Sequence, residues 1–255
     1  MGTGTGEVDV DFLAEIVKRG KEARGDDYSV VYQIVEPNAK SIEYFKGVVT
    51  KDPNLAKVNF KWYNGFFEPF CDEFRKSDNV DANLFDFAHY VRVFYHIDSK
   101  SALKTTYDEL LAKDGIVAVV GENENAFWPR MMRFLHDHGL THECFTCSGP
   151  VSDAYFLPGW KNQAESNGWK HDVYVKKYNF NITPMFDEKS QAGNYLIDFA
   201  LHGKGCRNTV KKEILDDFFA LLSSGSHEEQ VVVDGVTEQR RHYYCELGAI
   251  MITKE

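Results

Sequence analysis

Three glycines at alternate positions, Gly2, Gly4 and Gly6 in GTGTGEVD, and one acid, Glu36, closing the apolar run YSVVYQIVE are the residues best suited to bind a nucleoside. Glycine removes the side chains that would keep a ligand from the backbone, and a carboxylate at a strand end can accept two hydrogen bonds from ribose hydroxyls. The interval from Gly6 to Glu36 exceeds the roughly 20 residues of a dinucleotide fingerprint. Taken alone, the residues leave two readings open, a nucleoside-type site or a terminal loop. The acid is the firmer half, because a carboxylate at a buried strand end needs partners.

Other chemistry is less well supported. The cysteines, Cys71, Cys144, Cys147, Cys206 and Cys245, are odd in number and scattered, unlike a secreted disulfide framework. Cys144 and Cys147 form C-F-T-C, but no second pair follows and the surrounding residues alternate as in a strand, so structural thiols are expected and no metal site. Asn181 to Thr183 matches a glycosylation acceptor, a pattern without consequence in a cytoplasmic chain.

With 255 residues, 43% of them hydrophobic and 14% aromatic, the chain can bury a sizeable core. A net charge of -10 disfavours nucleic acid and anionic membranes as partners. No run approaches the roughly 18 apolar residues of a membrane span, and the N-terminus lacks a signal peptide pattern. The expectation is a cytoplasmic monomer.

The elements that must position these residues follow a βα rhythm. Phe12, Leu13, Ile16 and Val17 share a helical face, with Gly20 as a suitable end. YSVVYQIVE reads as a buried strand, and Asn38 can cap a helix through Ile42, Phe45 and Val49. AKVNFKWY, LFDFAHYV and GIVAVVG read as strands, with a helix over 99–113 begun by Asp98 or Ser99. A helix over AFWPRMMRFLHDHG and a strand region from HECFTC to AYF come next. Residues 157–190 are polar and weakly periodic, and read as an inserted excursion. Helices over 195–202 and 210–222 precede a hairpin turning at Asp234-Gly235. Such alternation predicts an α/β, Rossmann-like, doubly wound, mostly parallel sheet in a single domain over 1–255. Its parts are a cofactor-binding half (1–156), the insertion, and C-terminal helices and antiparallel strands (191–255).

In this order, GTGTGEVD, VVYQIVEPNAKSI, NLAKVNFKW, FDFAHYVRVFYHIDSKSALKTTYDELL and GIVAVVG resemble the seven-β-strand (class I) methyltransferases that use S-adenosylmethionine, the histamine N-methyltransferases most of all. The resemblance spans nearly the whole chain apart from 157–190. It implies S-adenosylmethionine as cofactor and a small amine as substrate. Gly2, Gly4 and Gly6 match the loop around the methionine part of the cofactor, and Glu36 matches the acid on its ribose. Ser41, where the family carries glutamine, and Val91 fall near the same ligand, and Phe67 lies close to a serine of the adenine region. Core packing is an equal reading of Val91 and Phe67.

The departures concern the acceptor. A family glutamine corresponds to Arg92, a tyrosine to His96, and a C-terminal asparagine to Cys245 or Glu246. Arg92 is a charged fork suited to a carboxylate, which favours an amino-acid-like acceptor; pairing with an acid such as Asp98 is the alternative. Tyr95, His96, Phe127 and Trp128 are candidates for the acceptor pocket, where aromatic faces attract cations, unless they serve as core. Tyr95 and His96 are the candidate catalytic pair, His96 as a general base in competition with water. Because the first, central strand of such a sheet would precede Gly2, the resemblance also predicts an N-terminally truncated form with weak cofactor binding, and a non-catalytic binding protein as the alternative function.

Overall fold

The computed structural model describes residues 2–77, 83–140 and 156–255. The chain divides into two compact units, one of Met1–Val93, Lys104–Val117 and Lys254, the other of Phe94–Leu103, Ala118–Thr253 and Glu255.

In the first unit helix α1 (Glu7–Arg24) begins at Gly6, in the left-handed region at φ 78°, and carries acids in its first turn and bases in its last, the order that complements a helix dipole. It runs past the expected end at Gly20 and stops at Gly25. Gly20 serves packing instead, since a Cβ there would stand 2.0 Å from the Tyr28 ring. Strand β1 (Val30–Glu36) buries its last three residues and pairs in parallel with β2 (Val58–Asn64), from Val30 opposite Val58 to Glu36 opposite Asn64. Between them lies α2 (Ala39–Val49), whose Asn38 cap accepts the amides of Lys40 and Ser41. Its buried Ile42, Phe45 and Val49 are spaced at three and four residues, and Phe45 and Val49 share one core with Leu13, Val17, Ile34, Leu55 and Val58. Full burial of Phe45 alone is worth about 1.5–3 kcal/mol.

Helix α3 (Phe67–Arg75) leads toward β3 (Phe85–Val91), which lies beside β4 (Leu111–Glu122). The helix expected over 99–113 is shorter: α4 (Ser99–Thr105) widens into a π turn over Thr106–Leu110, and Leu111 already belongs to β4. The carbonyls released there are taken up by Lys254, whose Nζ donates to those of Asp108 at 3.0 Å and Leu111 at 2.9 Å.

β4 continues into the second unit, where β7 (Val236–Thr253) and then β5 (Lys170–Asn181) follow it across the sheet. β7 is the spine of that unit. Its first half pairs antiparallel with β6 (Ser226–Val233) through the tight turn at Asp234 (φ 50°) and Gly235 (φ 80°), the primed geometry suited to hairpin twist. Its second half pairs antiparallel with β5, from Asn181 opposite His242 to Lys170 opposite Thr253. Helices α5 (Phe127–Asp137), α6 (Leu157–Ser166), α7 (Gln191–Ala200), α8 (Cys206–Thr209) and α9 (Lys212–Ser224) belong to the same unit. A core of Phe127, Met131, Met185, Ile197, Phe218, Leu222 and Tyr243 is among its largest clusters.

The chain is thus α/β, as the alternation of elements requires. Residues 157–190 are a correction to the expected excursion: they supply α6 and the long strand β5. β5 exposes most of its side chains, so KHDVYVKKYNFN is polar on both faces and shows little alternation; its ladder with β7 holds it in the sheet. The strand region from HECFTC to AYF, with Cys144 and Cys147, lies outside the described residues except for Phe156. Among the described residues no helix is long and apolar enough to cross a membrane.

Candidate active site

The bend after the glycine loop and the end of β1 meet at one carboxylate. Glu36, 7% exposed, accepts the Gly4 amide on Oε2 at 3.0 Å and the Asn38 amide on Oε1 at 2.9 Å. The strand end is pinned from the other side as well: Asn64 Nδ2 donates to the Glu36 and Pro37 carbonyls at 3.0 and 2.9 Å, and Gly65 N–H donates to the Glu36 carbonyl at 3.2 Å. Gly2 N–H donates to the Val35 carbonyl at 2.9 Å, which ties the loop to the same strand.

The three glycines have different work. A Cβ on Gly2 would stand 2.4 Å from Val93 Cγ2, and one on Gly6 would stand 2.2 Å from the Phe45 ring. Both positions are closed by the protein's own side chains. A Cβ on Gly4 would meet nothing within 4 Å, so the backbone there, at φ 54°, faces open space. Ser41 lies in the first turn of α2 with its amide on the Asn38 cap. Phe67 is buried, edge-on to Tyr90 with ring centroids 6.2 Å apart. Val91 ends β3, and Arg92 follows it exposed and at φ 51°.

A polar cluster that the sequence reading did not single out lies in the same unit. Asp9 of α1 accepts the Tyr32 hydroxyl, Tyr32 Oη lies 2.6 Å from His89 Nε2, and His89 Nε2 is 3.4 Å from Asp9 Oδ1. Burial holds the Asp9 carboxyl above its ordinary range, pushes the Tyr32 hydroxyl up, and drives His89 down to about 3. One signal was legible beforehand: Asp9 stands on the same helical face as Leu13 and Val17, where an acid is out of place.

The acceptor candidates other than Arg92 all belong to the second unit. Tyr95 and His96 are exposed in a turn, their rings 4.3 Å apart. Phe127, at the start of α5, is 4% exposed and packs on Trp128, Phe180 and Tyr243 at centroid distances of 5.0, 5.5 and 5.3 Å. Cys245 on β7 is 1% exposed. Glu246, beside it in sequence, accepts Asn123 Nδ2 at 2.6 Å, while the Asn123 amide donates to the Glu246 carbonyl at 3.0 Å. Glu122, also missed, is a buried acid at the end of β4 and accepts the Tyr178 hydroxyl at 3.4 Å. Burial pushes the Cys71 thiol up to about 12 and that of Cys206 up to about 11.

No family model matches the chain. Histamine N-methyltransferase of Danio rerio is 25% identical over 222 residues, covering 85% of this chain and 70% of its own. Histamine N-methyltransferase B of Xenopus laevis is 25% identical over 226 residues, covering 88% and 72%. Among solved structures, a SAM-dependent methyltransferase of Thermotoga maritima overlaps 98% of this chain and 95% of its own at 12% identity, with a TM-score of 0.39, a level from which no function follows. Across most of its length, then, the chain is similar to the histamine N-methyltransferases.

Proposed function

We propose that the protein binds S-adenosylmethionine at the Gly4–Glu36 bend and catalyses transfer of its methyl group to the nitrogen of a small amine, as a cytoplasmic monomer. The observation that carries this reading is the buried Glu36 carboxylate, held by two backbone amides beside a glycine whose outer side is open. A carboxylate offers about four lone-pair positions. The Gly4 and Asn38 amides take two, which leaves two for a pair of ribose hydroxyls, so the residues present suit an adenosyl group. Similarity to histamine N-methyltransferases supports the same cofactor.

S-adenosylmethionine supplies a methyl carbon made electrophilic by its sulfonium. The protein's part is to hold the acceptor nitrogen unprotonated, desolvated and in line, because most of the rate in such a displacement comes from proximity and orientation. Glu36 would anchor the ribose, the Gly4 backbone would allow close approach, and Ser41, Phe67 and Val91 would border the cofactor. With that group bound, the acceptor nitrogen's lone pair would supply the new bond to carbon, and the bond given up would be the one from carbon to sulfur. The amine proton leaves to water or to His96, with Tyr95 beside it. Arg92 suits an acceptor that carries a carboxylate.

A second reading, a methyltransferase-fold protein that binds ligand without catalysis, is favoured by the acceptor candidates themselves: Phe127 and Cys245 are core residues and Glu246 is engaged by Asn123. Calorimetry with S-adenosylhomocysteine and radiolabelled methyl transfer to histamine and carboxylate-bearing amines separate the two. Binding with transfer supports the enzyme, binding without transfer supports the second reading, and absence of both removes the cofactor proposal.

A further inference from the structure

The β6–β7 hairpin presents three donor groups on one face. His227 and Glu229 alternate along β6, and the hairpin register sets His242 of β7 directly opposite His227. The three donor atoms lie within 4.8 Å of one another, with His242 Nδ1 2.5 Å from Glu229 Oε1 and His227 Nε2 3.9 Å from Glu229 Oε2. Among the described residues no other three His, Cys, Asp or Glu side chains converge in this way.

The neighbouring charges leave this group to itself. Arg240 faces Glu229 across the ladder, yet its guanidinium turns back to Glu238 Oε2 at 3.1 and 3.0 Å. Arg241, on the other face, is engaged by Glu228. His242 is 12% exposed, and its buried Nδ1 makes no hydrogen bond although Glu229 is within reach, so the angle and not the distance fails. An imidazole nitrogen left unsatisfied beside a carboxylate is a donor available to a cation, once the two side chains part enough to admit it.

We propose that His227, Glu229 and His242 form a binding site for a divalent transition metal ion of the zinc class. Two imidazoles and one carboxylate are the donor set that zinc accepts, with the fourth position left to water at the exposed side of the hairpin. Tetrahedral bonds of about 2.1 Å place donors about 3.4 Å apart, inside the range these three already occupy, so rotamer adjustments suffice. The site belongs to the second unit and involves none of the residues assigned to cofactor or acceptor.

The test uses untagged full-length protein titrated with Zn2+ against a chromophoric chelator. The expected result is one equivalent bound, with His227→Asn and Glu229→Gln each weakening the affinity at least about tenfold while the metal-free melting temperature is unchanged. Both altered side chains are about half exposed, which keeps folding out of the comparison. Mg2+, which prefers oxygen ligands, should not compete. Absence of saturable Zn2+ binding, or binding that survives both substitutions together, overturns the proposal.

Discussion

Glu36 and Gly4, 32 positions apart, meet through a 3.0 Å hydrogen bond from the glycine amide to the buried carboxylate. Glu36→Gln keeps the length of the side chain but replaces one accepting oxygen with a donor that faces an amide. Hydrogen bonds to charged groups are worth about 1.5–3 kcal/mol, so a loss of about 2 kcal/mol in urea unfolding is expected. S-adenosylhomocysteine affinity should fall by more than about tenfold, since one mismatched group at a ribose costs at least 1.4 kcal/mol. Unchanged calorimetric affinity in this variant would remove Glu36 from the site.

Alanine at Gly4 and at Gly6 should separate binding from folding. Both residues have positive φ, which costs a side-chain-bearing residue about 1 kcal/mol. At Gly6 the new methyl also strikes the Phe45 ring in the core, adding roughly 1–3 kcal/mol of overpacking. Gly6→Ala should therefore melt several degrees lower than Gly4→Ala, whereas Gly4→Ala should lose more ligand affinity per degree of melting temperature. Differential scanning calorimetry with and without S-adenosylhomocysteine reads both.

The Asp9, Tyr32 and His89 cluster predicts an acid response with a worked sign. Unfolded His89 titrates near 6.5 and folded His89 near 3, so as pH falls below about 6.5 the unfolded chain takes a proton that the folded chain refuses. Stability then drops by up to about 1.4 kcal/mol per pH unit. Asp9, raised by burial, acts oppositely: as pH falls through its folded value toward 3.8 the folded chain gains a proton first, and the two slopes cancel. In Asp9→Asn the decline should continue without flattening down to about pH 4, and in His89→Gln it should vanish. Denaturant midpoints at pH 4, 5, 6 and 7 check the three curves.

Cys71 and Cys206 should be inert to thiol reagents in the folded protein. With thiols pushed to about 12 and 11 and both residues almost fully covered, the thiolate fraction at pH 8 is on the order of one part in a thousand or less. Mass spectrometry after brief alkylation should find both unmodified in buffer and modified in 6 M guanidinium chloride, a concentration on the order of the strongest denaturing conditions in use. Rapid native labelling of either would show that its burial is transient.

Much of the scaffold could be read from neighbours in sequence. The Asn38 cap, the apolar spacing of α2, the strand VVYQIVE and the Asp234-Gly235 turn are local physics, settled within a few residues, and they lie where local rules put them. Where local rules misled, a partner outside the element itself was the cause. Gly20 looks like a helix end but accommodates Tyr28, and the 99–113 helix yields to β4 at Leu111, with Lys254 serving the carbonyls. β5 has no apolar stripe because one ladder with β7 holds it.

By itself the sequence determined the alternation of strands and helices, the acid at the end of β1 and the hairpin whose turn sets His227 against His242, since period, capping and turn chemistry act over short range. Only the tertiary structure decided that Gly4 rather than Gly2 or Gly6 faces open space, that Asp9 is buried with Tyr32 and His89, and that Arg240 leaves Glu229 to the histidines. Those outcomes depend on which side chains arrive from far along the chain and fill, or fail to fill, the same small volume, and no local pattern carries that information.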